Sequence, residues 1–180
     1  MKIEETVILV DRDDQETGTM EKMEAHLQGK LHRAFSVFIF NKKGELLLQQ
    51  RADGKYHSGG KWTNTCCSHP RPAETNIDGA NRRLQEEMGM AAELNFAFSF
   101  IYCAAIQDDI IENEFDHVFF GLTDELPVPD PDEVSAFKYI TMPQLAAELE
   151  SNPGNYTAWL AICFDEVMAH YRQLIMPVLP

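Results

Sequence analysis

The pattern of apolar and polar positions predicts buried strands alternating with helices. Residues Arg33–Phe40 are apolar on both faces, which favours a buried strand over a helix. A polar turn at residues 41–44 leads into Glu45–Arg51, which the pattern predicts as the returning strand of a hairpin. Asn76–Met88 has helical spacing and precedes Gly89, a residue type that commonly ends helices.

The rest of the chain continues this mixture. Further strands are predicted at Thr6–Asp11, Leu94–Ala105, Asn113–Leu122 and Phe137–Ile140, and further helices at Met20–Leu27, Pro143–Leu149 and Ala158–Ile175. A polar turn is predicted at residues 13–15, and the chain contains no internal repeat. We therefore expect an α+β fold in one compact domain over residues 1–180. It would have an N-terminal strand and helix extension over residues 1–30 and a C-terminal helix over residues 158–175.

The composition is that of an ordinary globular protein. The chain has 180 residues, of which 44% are hydrophobic and 24% charged, enough for one well-packed core. Its formal charge of −14 argues against non-specific nucleic-acid binding, because few cations remain to neutralise phosphates. The sequence has neither an apolar stretch of membrane-spanning length nor a signal peptide. We expect a cytoplasmic protein that binds neither nucleic acid nor membrane.

The four cysteines follow neither a disulfide framework nor a zinc-finger spacing. Cys66, Cys103 and Cys163 are expected to be buried, reduced and inert thiols. Cys67 differs from them because a histidine, His69, follows two residues later. It is the one cysteine for which the sequence suggests chemistry.

Two pairs of chemically active residues share the same spacing. Cys67 and His69 are two residues apart, and so are Glu112 and Glu114. On an extended strand, residues two apart lie on one face, so each pair would present both side chains together. A thiol, an imidazole and two carboxylates are the components of a metal-assisted acid/base site.

In and around the predicted helix at residues 76–88, the chain has Glu74, Arg82, Leu84, Glu86, Glu87, Gly89 and Met90. This spacing resembles the Nudix box, a loop–helix–loop whose glutamates bind a divalent cation against a diphosphate. The simpler alternative is a solvated face on which these glutamates pair with arginines three or four residues away. Two positions depart from the box: Ser68 replaces its first glycine, and Arg83 replaces the glutamate that helps hydrolases to hold metal and activate water. With Glu87 kept, this exchange predicts binding of magnesium diphosphate without its hydrolysis.

Further motifs lie at residues 31–36, 51–52, 62–70, 82–83 and 112–114. Together these segments are similar to type 1 isopentenyl-diphosphate isomerases, and their order and spacing hold from about Leu9 to Trp159. The resemblance implies a Nudix-like mixed sheet flanked by helices. It also implies interconversion of isopentenyl diphosphate and dimethylallyl diphosphate, in isoprenoid biosynthesis, by way of a carbocation-like state.

The resemblance implies two metal ions. The first would be Mn²⁺, Mg²⁺ or Zn²⁺, with a ligand set of three histidines and two glutamates: His26, His32, His69, Glu112 and Glu114. Each histidine taken singly is more often a core or surface residue, and a loop must fold His26 onto His32. The second ion, Mg²⁺, would arrive with the substrate diphosphate and bind Glu87 and the backbone carbonyl of Cys67.

The resemblance also assigns residues to the substrate. The diphosphate contacts would be Lys22, Arg51, Lys55 and Arg83. For each of the two lysines taken alone, the simpler alternative is an ordinary exposed side chain. Trp159 would stabilise a cation with its ring face, or else simply pack the last helix.

For the proton transfers, the resemblance implies Glu114, assisted by Tyr102, as the group that delivers a proton. Cys67, as a thiolate, would remove one from the neighbouring carbon. His57 and His117 match nothing catalytic and are expected to be peripheral.

Two other functions stay open from the sequence. One is a Nudix hydrolase of nucleoside diphosphates, against which Arg83 counts. The other is a non-catalytic binding protein, against which the joint presence of Cys67 and Glu114 counts. The chain is expected to be a monomer or weak dimer.

Overall fold

Strand β3 (His32–Phe40) lies at the centre of the sheet in the computed structural model, which describes residues 5–55, 57–107 and 109–180. All of its residues except Arg33 are buried. Because its side chains are apolar on both faces over most of its length, both faces can be covered by helices. The buried strand predicted here is confirmed.

Eight further strands and four α-helices surround β3 in the described residues. The strands are β1 (Thr6–Val10), β2 (Glu16–Glu21), β4 (Glu45–Arg51), β5 (Trp62–Thr63), β6 (Cys66–Ser68), β7 (Leu94–Gln107), β8 (Ile110–Leu122) and β9 (Val134–Thr141). The helices are α1 (Lys22–Gln28), α2 (Asn76–Met88), α3 (Met142–Ser151) and α4 (Ala158–His170). A π-helical turn (Tyr171–Ile175) extends α4, and short 3-10 turns lie at Pro153–Asn155 and Met176–Val178.

The two edges of β3 are used differently. Along one edge, β8 runs parallel to β3 over its whole length, with a register that begins at His32↔Glu114. Along the other edge, β6 pairs antiparallel with the middle of β3, while β1 and β4 each touch one end. Strand β7 then continues the sheet beyond β8, β9 continues it beyond β4, and β2 pairs with β1.

Helices cover the two faces of the sheet. On one face, α2 packs against β3 through a cluster that includes Phe35, Val37, Ile39, Ala80, Leu84 and Met88. On the other, α3 and α4 cover a cluster that includes Phe38, Phe40, Val118, Phe120, Leu145, Leu160 and Val167. Within β3 and β8, the aromatic residues of this second cluster lie only in the C-terminal halves. The N-terminal halves of both strands therefore carry other side chains on that face.

The predicted α+β class, with a mixed sheet flanked by helices, is confirmed. Strand β2 was not predicted, because its residues are mostly exposed or half-buried and lack an apolar face. The predicted hairpin pairs only at Phe40↔Leu46, since β6 occupies the middle of the same edge and β4 pairs mainly with β9. Cys103 is exposed, contrary to expectation. No helix in the described residues is long and apolar enough to cross a membrane.

Helix α2 has well-defined ends. The side chain of Thr75 caps its N-terminus by accepting a hydrogen bond from the backbone N–H of Asp78 at 3.2 Å. At its C-terminus, Gly89 adopts the left-handed conformation, with φ of 61°. A Cβ atom on Gly89 would lie 2.2 Å from the carbonyl oxygen of Val128. Glycine is thus required both by the backbone angle and by the close approach of the following loop.

We predict that Gly89→Ala destabilises the protein by about 1–3 kcal/mol, because a side chain must then adopt a strained φ. The overlap with Val128 adds to this cost. Urea denaturation measures the loss, and Gly154→Ala is the matched control, since a Cβ there meets nothing within 4 Å. Equal stability of the two variants would contradict the prediction.

Candidate active site

Three histidines and one glutamate converge at the N-terminal ends of β3 and β8. They are His26, His32, His69 and Glu114, and one ligand atom from each lies within 4.8 Å of all the others. His26 belongs to α1 and His32 begins β3, yet their ring centroids are 4.9 Å apart. Gly29, with φ of 61°, ends α1 and allows the chain to fold His26 back onto His32.

Backbone carbonyls determine which ring nitrogen of two histidines carries hydrogen. His26 Nδ1 lies 2.6 Å from the carbonyl oxygen of Lys22, and His32 Nδ1 lies 2.8 Å from that of Lys30. A carbonyl can only accept, so Nδ1 donates in each pair. In the neutral ring, Nε2 then presents a lone pair toward the centre of the cluster. This is the arrangement in which histidines bind metals.

The electrostatics of the cluster suit a cation. Burial lowers the pKa of His69 to about 4, outweighing the opposing hydrogen bond with Glu114, so the ring is neutral at neutral pH. Burial by itself would raise the pKa of Glu114, but hydrogen bonds with His32 and His69 hold it well below its ordinary value. His32 Nε2 and His69 Nε2 are only 3.2 Å apart. Imidazole nitrogens and a carboxylate in such close approach fit a divalent ion, which binds the neutral form of the ring.

Glu112, predicted as a fifth ligand, lies beside this cluster. Its Oε2 atom is 3.2 Å from His26 Nε2, while its Oε1 atom is 2.7 Å from Nε2 of His57. His57 was expected to be peripheral, and this was wrong: it is buried, and its ring lies edge-on to Trp159 at 5.9 Å. It sits in the connection between β4 and β5, where no strand or helix periodicity could have indicated its direction.

A pocket beside the cluster collects the other predicted residues. It is lined by Lys22, Arg51, Lys55, Cys67, His69, Arg83, Glu87, Tyr102, Glu112, Glu114 and Trp159. Cys67 comes from β6 and Glu114 from β8, the strands that flank β3 on opposite edges. The hydroxyl of Tyr102, on β7, donates to Glu114 Oε2 at 2.6 Å. Carboxylate and thiol therefore enter the pocket from opposite sides of β3.

The proton positions in the pocket follow from burial. Burial raises the pKa of the Cys67 thiol, and the charge of Arg51 opposes this only in part. The protein environment thus favours the neutral thiol, in contrast to the thiolate expected from the sequence. Burial also raises the pKa of Tyr102 well above its ordinary value, and the charge of Glu114 adds to this effect. Tyr102 therefore remains a hydrogen-bond donor.

Four cations, Lys22, Arg51, Lys55 and Arg83, line the pocket. The buried Nε atom of Arg51 has no hydrogen-bond partner among the described residues, and its guanidinium lies 5.4 Å from the centre of the Trp159 ring. Lys55 and Arg83 both pair with Glu133, the latter at 3.3 Å. Lys22 pairs with Glu5. A buried arginine with an unused donor at the pocket is suited to bind an anion.

The two faces of helix α2 have different roles. On the outer face, Arg82 pairs with Glu74 at 2.7 Å and with Glu86 at 3.2 Å, which is the salt-bridged arrangement considered from the sequence. On the inner face, the buried carboxylate of Glu87 accepts from Arg83 at 2.6 Å and from Gln49 at 2.8 Å. Of these glutamates, Glu87 is the one that reaches the pocket.

Trp159 both packs the last helix and lines the pocket. It is buried, and its indole N–H donates to Asn64 Oδ1 at 3.2 Å, which fixes the ring as part of the packing of α4. The same ring lines the pocket. Packing thus holds the aromatic surface in place instead of excluding it from the site.

One carboxylate near the site was not found from the sequence. Asp116 lies on the same face of β8 as Glu112 and Glu114 and accepts from Ser36 Oγ at 2.7 Å. Burial raises its pKa well above the ordinary value. Extending the two-residue spacing by one step would have identified it. His117 lies on the other face, where its Nε2 is 2.9 Å from Asp14.

Sequence comparisons identify relatives over most of the chain. The NUDIX domain family model matches residues 30–160. The chain is 53% identical over 167 residues to isopentenyl-diphosphate Delta-isomerase 1 of Aromatoleum aromaticum, covering 93% of this chain and 94% of that protein. It is 46% identical over 166 residues to isopentenyl-diphosphate Delta-isomerase of Pectobacterium atrosepticum, covering 92% of this chain and 93% of that protein.

Solved structures resemble the fold at low sequence identity. The crystal structure of DR0079 from Deinococcus radiodurans matches with a TM-score of 0.77 and 19% identity, covering 90% of this chain and 98% of that one. The MutT protein from Methanosarcina mazei matches with a TM-score of 0.64 and 18% identity, covering 77% of this chain and 94% of that one. Together with the family model, these likenesses confirm the predicted Nudix-like fold.

We predict that Mn²⁺ raises the melting temperature of the metal-free protein. Binding to the folded state alone contributes about 2.7 kcal/mol at a hundredfold excess over Kd, or roughly 5–10 °C for a chain of this size. His32→Ala should lose most of this shift, because it removes an Nε2 lone pair from the cluster. His117→Ala, which changes a histidine outside the cluster, should keep it. Equal shifts in both variants would contradict the assignment of the site.

Proposed function

The chain belongs to the isopentenyl-diphosphate Delta-isomerase family of NUDIX domain proteins, and we propose that Cys67 and Glu114 are the groups that move protons in its reaction. The enzyme interconverts isopentenyl diphosphate and dimethylallyl diphosphate in isoprenoid biosynthesis. The observation that carries the residue assignment is the position of Cys67 and Glu114, which line one pocket from strands on opposite edges of β3.

The reaction is a 1,3-proton shift. A proton adds to the terminal C4 carbon of isopentenyl diphosphate, and the π electrons of the C3=C4 bond form the new C–H bond. This leaves a tertiary cation, or a state close to it, at C3. Loss of a proton from C2 returns its bonding electrons to form the C2=C3 bond. The substrate therefore needs one proton donor and one acceptor at different carbons.

Cys67 and Glu114 supply these two functions. Glu114, as the carboxylic acid, delivers the proton in the forward direction, and Cys67, as the thiolate, receives the proton that leaves C2. The neutral thiol and ionised carboxylate that the protein environment favours are the states reached after this transfer, from which the reverse reaction begins. Because the reaction is reversible, each group is the acid in one direction and the base in the other. Tyr102 supports Glu114, since its hydroxyl donates to Glu114 Oε2 at 2.6 Å and stabilises the carboxylate left after transfer.

The remaining pocket residues orient the substrate and protect the cation. The Trp159 ring face stabilises positive charge at C3. Because the ring is buried, it also limits the access of water, which would react with the cation. Lys22, Arg51, Lys55 and Arg83 hold the diphosphate. This local group of cations explains how a chain with a formal charge of −14 binds an anionic substrate.

The donor set supports two divalent ions. One, Mn²⁺, Mg²⁺ or Zn²⁺, would be held by His26, His32, His69, Glu112 and Glu114, and the other, Mg²⁺, by Glu87 and the Cys67 carbonyl. When bound, they would supply fixed positive charge beside Glu114 and the diphosphate. The cytoplasmic location and the monomeric or weakly dimeric state remain predictions.

We predict that Cys67→Ala and Glu114→Gln each lower kcat by roughly a thousandfold or more, because each removes a group that transfers a proton. NMR of the reaction in deuterated water measures turnover and label incorporation together. Cys103→Ala is the matched control, since this exposed thiol on β7 is outside the pocket. Circular dichroism checks that all three variants are folded. Unimpaired turnover by folded Cys67→Ala would reject the proposed pair.

We predict that Arg83→Gln raises KM for isopentenyl diphosphate about ten- to hundredfold, the equivalent of one lost charge-assisted hydrogen bond. Arg82→Gln is the matched control: it changes the neighbouring arginine, which pairs with Glu74 outside the pocket, and should alter KM less than about threefold.

The same preparations should release no phosphate from nucleoside diphosphates. Such release by the wild type would favour the hydrolase alternative.

A further inference from the structure

His57 touches three residues that have separate roles in the proposed reaction. Its Nε2 atom lies 2.7 Å from Glu112 Oε1, and its ring is edge-on to Trp159 at a centroid distance of 5.9 Å. Its backbone carbonyl accepts a hydrogen bond from Arg51 Nη2 at 3.3 Å. His57, a buried residue of the loop between β4 and β5, thus contacts a proposed metal ligand (Glu112), the proposed cation-stabilising ring (Trp159) and a proposed diphosphate contact (Arg51).

The hydrogen bond to Glu112 has a defined direction. A carboxylate can only accept, so Nε2 of His57 donates, and the neutral ring then leaves Nδ1 to accept from the Ser58 hydroxyl at 3.3 Å. The donor occupies one carboxylate oxygen of Glu112. The other oxygen, Oε2, faces His26 Nε2 at 3.2 Å. His57 therefore holds the carboxylate at the rotation that presents Oε2 to the histidine cluster.

The same side chain also fastens the loop that contains Lys55. Residues 52–55 and 57–61, the described part of the connection from β4 to β5, have no strand or helix of their own. His57 is buried there, 3% exposed, against Glu112 of β8 and Trp159 of α4. Without this contact, the loop that carries Lys55 and follows Arg51 would lose its attachment to the metal side of the pocket.

We propose that His57 is a positioning residue that orients Glu112 toward the metal and links the diphosphate-binding loop to the metal site. The inference rests on the proposed function in taking Glu112 as a metal ligand. The proposal predicts that the protein binds diphosphate more tightly when the metal is bound, and the metal more tightly when diphosphate is bound. Hydrogen bonds to ligating carboxylates and histidines commonly change metal affinity by roughly ten- to hundredfold.

The test measures Mn²⁺ affinity by chelator competition on metal-free protein, so it does not depend on turnover. His57→Leu replaces the ring by an apolar side chain of similar bulk and removes the donor, and it should weaken Mn²⁺ binding roughly ten- to hundredfold. His57→Gln keeps an N–H at similar reach and should retain most of the affinity. His117→Leu is the matched control, because it removes a histidine that also contacts a carboxylate, Asp14, at 2.9 Å.

A double-mutant cycle separates positioning from packing. If His57 acts through Glu112, His57→Leu should change the Mn²⁺ affinity of a Glu112→Gln protein less than about twofold. Three outcomes would each overturn the proposal. The effects of His57→Leu and Glu112→Gln on Mn²⁺ affinity could be fully additive, His57→Leu and His57→Gln could lose equal affinity, or His57→Leu could keep the affinity of the wild type. Melting temperatures in EDTA establish that the variants are folded, and the His57→Gln comparison stands if His57→Leu does not fold.

The link between the two ligands has its own measurement. Pyrophosphate binding to the wild type should tighten about five- to hundredfold when Mn²⁺ is present, the usual range for coupled sites. In His57→Leu, this ratio should fall toward one. An unchanged ratio in the variant would reject the link. If the wild type has no isomerase activity, the proposed function is wrong. The Mn²⁺ and pyrophosphate affinities still test the role of His57, because they are measured without turnover.

Discussion

The parallel pairing of β3 with β8 is the constraint on which the candidate site depends. In this register His32 lies opposite Glu114, and the N-terminal halves of both strands meet at the same end of the sheet. Those halves carry imidazoles and carboxylates, while the C-terminal halves carry the phenylalanines of the core beneath α3 and α4. A shift of one residue would turn Glu112 and Glu114 toward α2, because strand side chains alternate between faces. Apolar packing at one end therefore determines where the ionisable groups lie at the other.

Burial at the polar end of these strands requires compensation. Each buried carboxylate there contacts a histidine, a cation or a hydroxyl: Glu114 contacts His69 and Tyr102, Glu87 contacts Arg83, and Asp116 contacts Ser36. Removing one partner would leave an uncompensated buried group, which is more costly than the pair itself is stabilising. The site is thus held by networks and not by single contacts. This also explains why a neutral Cys67 thiol is compatible with the pocket, since it adds no further charge.

Helix α2 shows how a Nudix box can serve a different reaction. Its capped ends hold the helix in register, so that Glu87 faces the pocket while Glu86 is exposed on the salt-bridged face. Arg83 lies one turn before Glu87 and pairs with it. A cation at this position adds affinity for a diphosphate but provides no carboxylate to activate water. The same helix geometry therefore agrees with the proposed binding of the diphosphate without its hydrolysis.

The sequence by itself determined the strong local features. Continuous apolar runs identified β3, helical spacing and Gly89 identified α2, and the two-residue spacing of Glu112 and Glu114 placed both on one face. Resemblance to a family supplied the remaining candidate ligands. Only the tertiary structure decided that β6, and not β4, pairs with the middle of β3, and that His57 turns inward to meet Glu112. The physical reason is that edge pairing and loop direction depend on contacts between residues far apart in the chain, whereas periodicity and capping depend on neighbours.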